Sequence, residues 1–263
     1  MIRSDSPLKG LPLAVIDTET TGLAPGHIVE IAIVHLTLGD DEAPRLAYST
    51  RVRPPLPIPS AASAIHGITD ADVADAPTWA DAWPRVAEAI ADRVPVAHNA
   101  PFDAAFVTAE CERIGVGVPG GKLWLCTQVP GRCADRYQSA KRLVDIAARR
   151  GIILDAHGAA GDAMAAALVG PGLWRQALRI TGSAGDTAPM TYRDLLSWQH
   201  AEALRQERDF VEYLLRKGAR GDRPETPWHD LLGVTPPAWP ERPAVKATHR
   251  IGKDGHLEPL ESP

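Results

Sequence analysis

The stretch VIDTETTGL, Val15 to Leu23, opens as a buried strand, closes as a turn, and carries two carboxylates where its apolar run ends. Residues two apart on a strand project from one face, so Asp17 and Glu19 point the same way. Ionised carboxylates are costly to desolvate, and two held side by side repel unless a cation lies between them. A hard divalent ion with oxygen ligands is the natural counter-charge. Asp, Thr and Gly are also ordinary turn formers, so this stretch alone is equally consistent with a plain turn.

Outward from it, the pattern is a strand meander followed by alternating helices and strands. Leu11–Asp17 reads as a central strand buried on both faces. HIVEIAIVHLTL (His27–Leu38) and RLAYSTRV (Arg45–Val52) read as two further strands, and the Pro-rich Pro54–Thr69 as a connection. Val86 and Ile90 give Trp79–Asp92 helical spacing. VPVAHNA (Val94–Ala100) reads as a short strand, and Phe102–Gly115 as a helix closed by its glycine. Lys122–Val129 reads as another strand. Ser139 can cap a helix over Ala140–Arg150 ended by Gly151, and a final helix runs through Gly161–Gly170. This order implies an α/β protein with a mixed sheet and helices on its faces.

Composition sets the outer limits. A chain of 263 residues with 44% hydrophobic content can bury a sizeable core, as one large domain or a medium domain with an extension. The formal net charge of -5 carries no basic signature, although metal-binding carboxylates count against the total while bound cations do not. Cys111, Cys126 and Cys133 form no CxxC pair, which suits a reducing compartment and offers neither a disulfide framework nor a zinc site. MIRSDSPLKG lacks the apolar segment of a signal peptide, and no stretch is long enough to span a bilayer. The expectation is a cytoplasmic protein with no membrane partner.

Two downstream segments answer the question raised by Asp17 and Glu19. AHNAPFD (Ala97–Asp103) places Asp103 just after a strand, in the first turn of a helix. DAHGAAGD (Asp155–Asp162) places His157 five residues before Asp162, at the mouth of another helix. All four acids therefore fall at element ends, where such sheets collect ligands. Singly, Asp103 and Asp162 read as first-turn acids favoured by the helix dipole, and His157 as a cap or surface histidine. In order and at these separations, DTETTGL, HNAPFD and HGAAGD resemble the DEDDh 3′–5′ exonucleases, the family of the proofreading epsilon subunits of bacterial DNA polymerase III. The resemblance spans roughly residues 11–170.

The resemblance implies an RNase H-like three-layer α/β/α fold and a two-metal site using Mg2+ or Mn2+. One ion would be held by Asp17, Glu19 and Asp162. A second would be held by Asp17, with Asp103 acting through water. His157 would be the general base that takes a proton from the attacking water. Thr20, Leu23, His66, Asn99 and Phe102 match positions that contact the terminal nucleotides, although core packing explains Leu23 and Phe102 nearly as well. Residues 131–150 carry Arg132, Arg136, Lys141, Arg142, Arg149 and Arg150 against Asp135 and Asp145. A solvated helix face is the usual meaning of such a run, and a phosphate track is the functional one.

The character of the chain changes near residue 180. TGSAGDTAP is linker-like, Thr191 and Asp194 can form a capping box, and a long helix is expected over about 191–217. Eight of the 45 residues from 219 onward are proline, which reads as extended or partly disordered chain. The expected division is an exonuclease domain at 1–180 and a C-terminal extension at 181–263. The expected activity is removal of nucleoside 5′-monophosphates from 3′ ends of single-stranded or frayed DNA. Its alternatives are a 3′ exoribonuclease or oligonucleotide-trimming enzyme, and a non-catalytic nucleic-acid- or polymerase-binding module. A DNA polymerase or another replication or repair protein is the expected class of protein partner.

Overall fold

Strand β1 (Pro12–Thr20) is apolar on both faces, and the sheet places it in the middle. The structure is a computed structural model and describes residues 2–23, 26–118, 123–138, 141–155, 157–183, 190–216 and 248–260. β2 (Ile28–Thr37) and β3 (Arg45–Arg51) extend from β1 as an antiparallel meander. Two short helices follow, α1 (Ser60–His66) and α2 (Asp70–Val73), then α3 (Trp79–Ile90). β4 (Val94–Ala97) adds in parallel to the other side of β1, and after α4 (Ala100–Arg113) β5 (Leu125–Cys126) pairs with β4. The order β3-β2-β1-β4-β5 is the mixed sheet that the meander-then-alternation pattern implies.

Alternation along β1 divides the interior. Leu13 and Val15 face a core shared with α5 (Gln128–Ala134), α6 (Leu143–Ala148) and α7 (Ala159–Ile180). Ala14 and Ile16 face a second core with Trp79, Val86 and Ile90 of α3 and Phe106 and Val107 of α4. The result is helix, sheet, helix: three layers, RNase H-like.

Several elements differ from the sequence-based expectation. The Pro-rich connection contains α1, closed by Gly67 in the left-handed region at φ 78°. The strand expected over Lys122–Val129 keeps only Leu125 and Cys126, after which the chain turns into α5. α7 does not stop at Gly170 but continues through Pro171 to Ile180, because Leu173, Trp174 and Ala177 go on burying its sheet-facing side. α6 begins at Leu143 with Arg142 at its N-cap, and the expected cap Ser139 lies outside the described residues.

The largest departure concerns the extension. Helix α8 (Tyr192–Arg216) starts at the expected box, with Thr191 N–H donating to Asp194 Oδ2 at 2.9 Å and Asp194 N–H donating to Thr191 Oγ1 at 3.3 Å. It then packs into the first core through Tyr192 and the fully buried Leu195. Within the stretch expected to be extended chain, β7 (His249–Ile251) and β8 (Leu257–Pro259) form a hairpin. β7 pairs in parallel with β6 (Ile152–Leu154), burying Ile251 completely. Residues 217–247, which hold most of the prolines, lie outside the described residues. Among the described residues, no helix is long and apolar enough to cross a membrane.

Candidate active site

Odd positions of β1 face α7, so the alternation that buries Leu13 and Val15 aims Asp17 and Glu19 at that helix. Asp162 stands in its first turn. One carboxylate oxygen from each of Asp17, Glu19 and Asp162 lies within 4.8 Å of the others. Thr18 points the opposite way, toward α4, and its hydroxyl donates to Oδ1 of the buried Asp103 at 2.8 Å. Asp103 therefore reaches the group from the other helical layer, which explains why it stands beside the trio and not within it.

The electrostatics are those of buried carboxylates held close together. Burial, followed by repulsion from Asp103, Asp162, Glu19 and Glu30, raises the Asp17 carboxyl well above the ordinary carboxylate range. Burial and then Asp162 push Glu19 up to about 8. Burial pushes Asp103 up to about 7 against the opposing hydrogen bond from Thr18. Asp162 is also raised by burial, offset in part by the backbone N–H of His157. Groups that retain protons for lack of a positive partner, with only oxygen donors converging, fit hard divalent cations.

Glu30 is a further acid that sequence reasoning missed. It pairs in register with Glu19 across β1 and β2. Its Oε2 accepts from the N–H of Ala159, one of the free donors at the start of α7, at 3.0 Å. Glu30 thereby fixes the helix end that carries Asp162. The available signal was a lone acid inside the otherwise apolar run IVEIAIV.

The remaining expected residues are distributed as follows. His157 sits at φ 68°, a left-handed conformation that a side-chain-bearing residue rarely adopts, and its N–H donates to Asp162 Oδ2 at 3.2 Å. Its side chain is exposed. His66 is buried, and its Nδ1 accepts from Ile68 N–H at 3.0 Å, which leaves the proton of the neutral ring on Nε2. Burial holds its imidazole below the usual histidine range, and His157 adds to that effect. Thr20 is buried with its hydroxyl donating to the Gly22 carbonyl at 2.8 Å, so that proton is committed to the turn. Leu23 is 86% exposed, which excludes core packing as its role. Asn99, at φ 70°, forms the left-handed turn that reverses the chain from β4 into α4. Phe102 is half-buried against Phe106, ring centroids 4.8 Å apart.

The basic run is less available than its charge suggested. Arg149 and Arg150 both donate to the buried carboxylate of Asp135, at 2.9 and 3.1 Å. Arg142 pairs with Asp145 at 2.9 Å on an exposed surface. Three of the six cations are thus ion-paired, Lys141 Nζ donates to the Arg136 carbonyl at 3.4 Å, and Arg136 lies over the Tyr137 ring.

Over residues 14–169 the chain matches the RNase_T family, described as exonuclease. It is 45% identical over 107 residues to a DNA polymerase III subunit epsilon-like protein of Rhodobacter capsulatus, covering 40% of this chain and 15% of that protein. An exonuclease of Escherichia phage 186 is 35% identical over 165 residues, 56% of this chain and 80% of that one. Exodeoxyribonuclease 10 of Escherichia coli is 43% identical over 115 residues, 44% of each chain. The matched segments thus span less than half of the Rhodobacter and Escherichia coli relatives. Among solved structures, Escherichia coli exonuclease I in complex with a dA16 oligonucleotide superposes with a TM-score of 0.55 at 15% identity, over 66% of this chain and 42% of that one. That likeness is one of fold.

Proposed function

This chain belongs to the exonuclease family, and we propose that it removes nucleoside 5′-monophosphates one at a time from the 3′ ends of single-stranded or frayed DNA, using two divalent ions. The observation that carries this reading is the convergence of Asp17, Glu19 and Asp162 within 4.8 Å, with Asp103 held beside them. DNA is preferred over RNA as substrate because the relatives carry names such as exodeoxyribonuclease and DNA polymerase III subunit epsilon-like protein. The same names support a polymerase or repair protein as partner.

Asp17, Glu19 and Asp162 would hold the ions, with Asp103 contributing from the α4 side. When bound, Mg2+ or Mn2+ supplies positive charge that favours attack at phosphorus and offsets charge on the departing 3′ oxygen. His157 accepts the proton of the attacking water, imidazole being the side chain suited to proton exchange near neutral pH. Its exposed side chain stands just ahead of α7, and its N–H keeps the Asp162 carboxylate oriented. Leu23, exposed on the turn after the first two acids, offers an apolar surface for a terminal base. The Nε2 of His66 is buried, so this side chain presents no exposed donor to the nucleotide.

The test uses purified protein with single-stranded DNA, duplex DNA and RNA, each labelled at the 5′ end. Stepwise shortening of DNA that needs Mg2+ or Mn2+ is expected. Full activity in excess chelator would overturn the metal assignment, and cleavage of a closed circular strand would overturn the 3′-end assignment.

A further inference from the structure

The C-terminal hairpin does not merely complete a small sheet. Its turn, Gly252 to His256, is seated on Gly158 and the first residues of α7, the stretch between His157 and Asp162. The Lys253 carbonyl accepts from the N–H of Gly161 at 3.1 Å, another of the free donors at that helix end. The approach is tight. A Cβ at Gly158 would lie 2.7 Å from the Cβ of Lys253, one at Gly161 would lie 2.7 Å from the Gly252 carbonyl oxygen, and one at Gly255 would lie 2.9 Å from that of Ala160. The glycines of HGAAGD are therefore small because the hairpin lies on them. Gly255 also adopts φ 79°, which the close turn requires.

This seating places a lysine at the rim of the acid cluster. Lys253 is exposed, and among the described residues its ammonium makes no hydrogen bond or ion pair. It is nevertheless near enough to Glu19 and Asp162 for its charge to favour their ionised forms. Asp17, Glu19, Glu30, Asp103 and Asp162 make five carboxylates, so two divalent ions leave the site short of neutrality, and each entering phosphodiester adds a further negative charge. An uncommitted, exposed ammonium near Glu19 and Asp162 is suited to that phosphate.

Resting on the exonuclease reading above, we propose that Lys253 is a substrate-binding residue of this site, delivered by the C-terminal hairpin to hold a phosphate oxygen of the 3′-terminal nucleotides. The charge that completes the site thus comes from a segment about ninety residues beyond the last acid of the family match.

The experiment compares Lys253→Met and Lys253→Arg with wild type in the full-length chain. Methionine keeps the backbone carbonyl and the Cβ, the groups through which the hairpin grips α7, so its melting temperature should match that of wild type. Binding of a 5′-labelled oligonucleotide is measured with Ca2+ in place of Mg2+ across a salt series, and kcat and KM are measured with Mg2+. Lys253→Met should raise KM about 10-fold with a smaller effect on kcat, and should flatten the slope of log Kd against log salt by about 0.7, the share of one contact to a single strand. Lys253→Arg should restore the slope. An unchanged slope and KM in Lys253→Met would overturn the proposal. So would a lowered melting temperature with a slope that arginine fails to restore, which would make Lys253 a packing residue. Wild type that binds oligonucleotide but hydrolyses none would instead overturn the exonuclease reading, while the binding series still decides Lys253.

Discussion

At Asp17 the repulsion of four other carboxylates adds to the cost of burial, so the side chain holds its proton far more tightly than an isolated aspartate. Removing that charge relieves the repulsion and at the same time removes a shared ligand. Asp17→Asn should therefore be nearly inactive yet melt at or above the temperature of metal-free wild type, and Mg2+ or Mn2+ should no longer stabilise it. A variant that fails to fold would make Asp17 a structural residue. The pH dependence follows from the same raised groups. Asp103 and Glu19 bind protons more tightly folded than unfolded, so their contribution to metal-free stability is greatest at low pH. It falls as pH climbs from the ordinary carboxylate range through about 7 for Asp103 and about 8 for Glu19. Divalent ions compete with those protons, so the metal-induced rise in melting temperature should be larger at pH 8 than at pH 6. Calorimetry in buffers of different ionisation enthalpy should show protons released on binding. For His157, asparagine is the more informative replacement, because it tolerates the left-handed backbone at φ 68°. His157→Asn should lose about 10²–10⁴-fold in kcat with DNA binding nearly intact, and higher pH should partly rescue it. Wild-type turnover near neutral pH in this variant would return His157 to a helix-end role.

Two elements carry more than their sequence announces. Helix α8 acts as a cover for the open edge of the sheet beside β5. The Gln199 side chain accepts from Cys126 N–H at 2.7 Å and donates to the Trp124 carbonyl at 3.2 Å, doing for β5 what a further strand would do. Tyr192 donates its hydroxyl proton to the Leu123 carbonyl at 2.6 Å, and Gln206 donates to the Val129 carbonyl at 3.0 Å. Leu195 fills the core beneath, so Leu195→Ala should cost about 2–5 kcal/mol in chemical denaturation. A cost near zero would mean that α8 rests on the surface. The segment around α5 and α6 behaves similarly. Because Arg149 and Arg150 share the buried Asp135, Asp135→Ala should cost on the order of 3 kcal/mol by leaving two cations without their partner. Arg142→Ala, on an exposed pair, should leave the unfolding midpoint unchanged.

For the molecule as a whole, the expected division at residue 180 becomes a question of autonomous folding. Truncation after Thr181 would remove α8 and the β7–β8 hairpin, and with them the cover of β5, the parallel partner of β6 and the turn seated on α7. We expect the truncated chain to lose its cooperative melting transition, where an independent 1–180 domain would retain both the transition and hydrolysis of short oligonucleotides. What the sequence alone determined is the part encoded locally. Period-two alternation in VIDTETTGL put Asp17 and Glu19 on one face, helix-start patterns put Asp103 and Asp162 in first turns, and the order of elements implied the mixed sheet. The Thr191–Asp194 box, written within four residues, was equally legible. Tertiary structure alone decided which distant groups meet. Glu30 reads as one more strand residue until register sets it opposite Glu19 and packing brings the start of α7 onto it. Lys253 reads as a turn residue in a Pro-rich tail until β7 pairs with β6, about a hundred residues earlier in the chain. The physical reason is that periodicity and capping are properties of neighbours along the chain. The partner of a sheet edge, or of a free helix end, is chosen by packing between segments that share no local pattern.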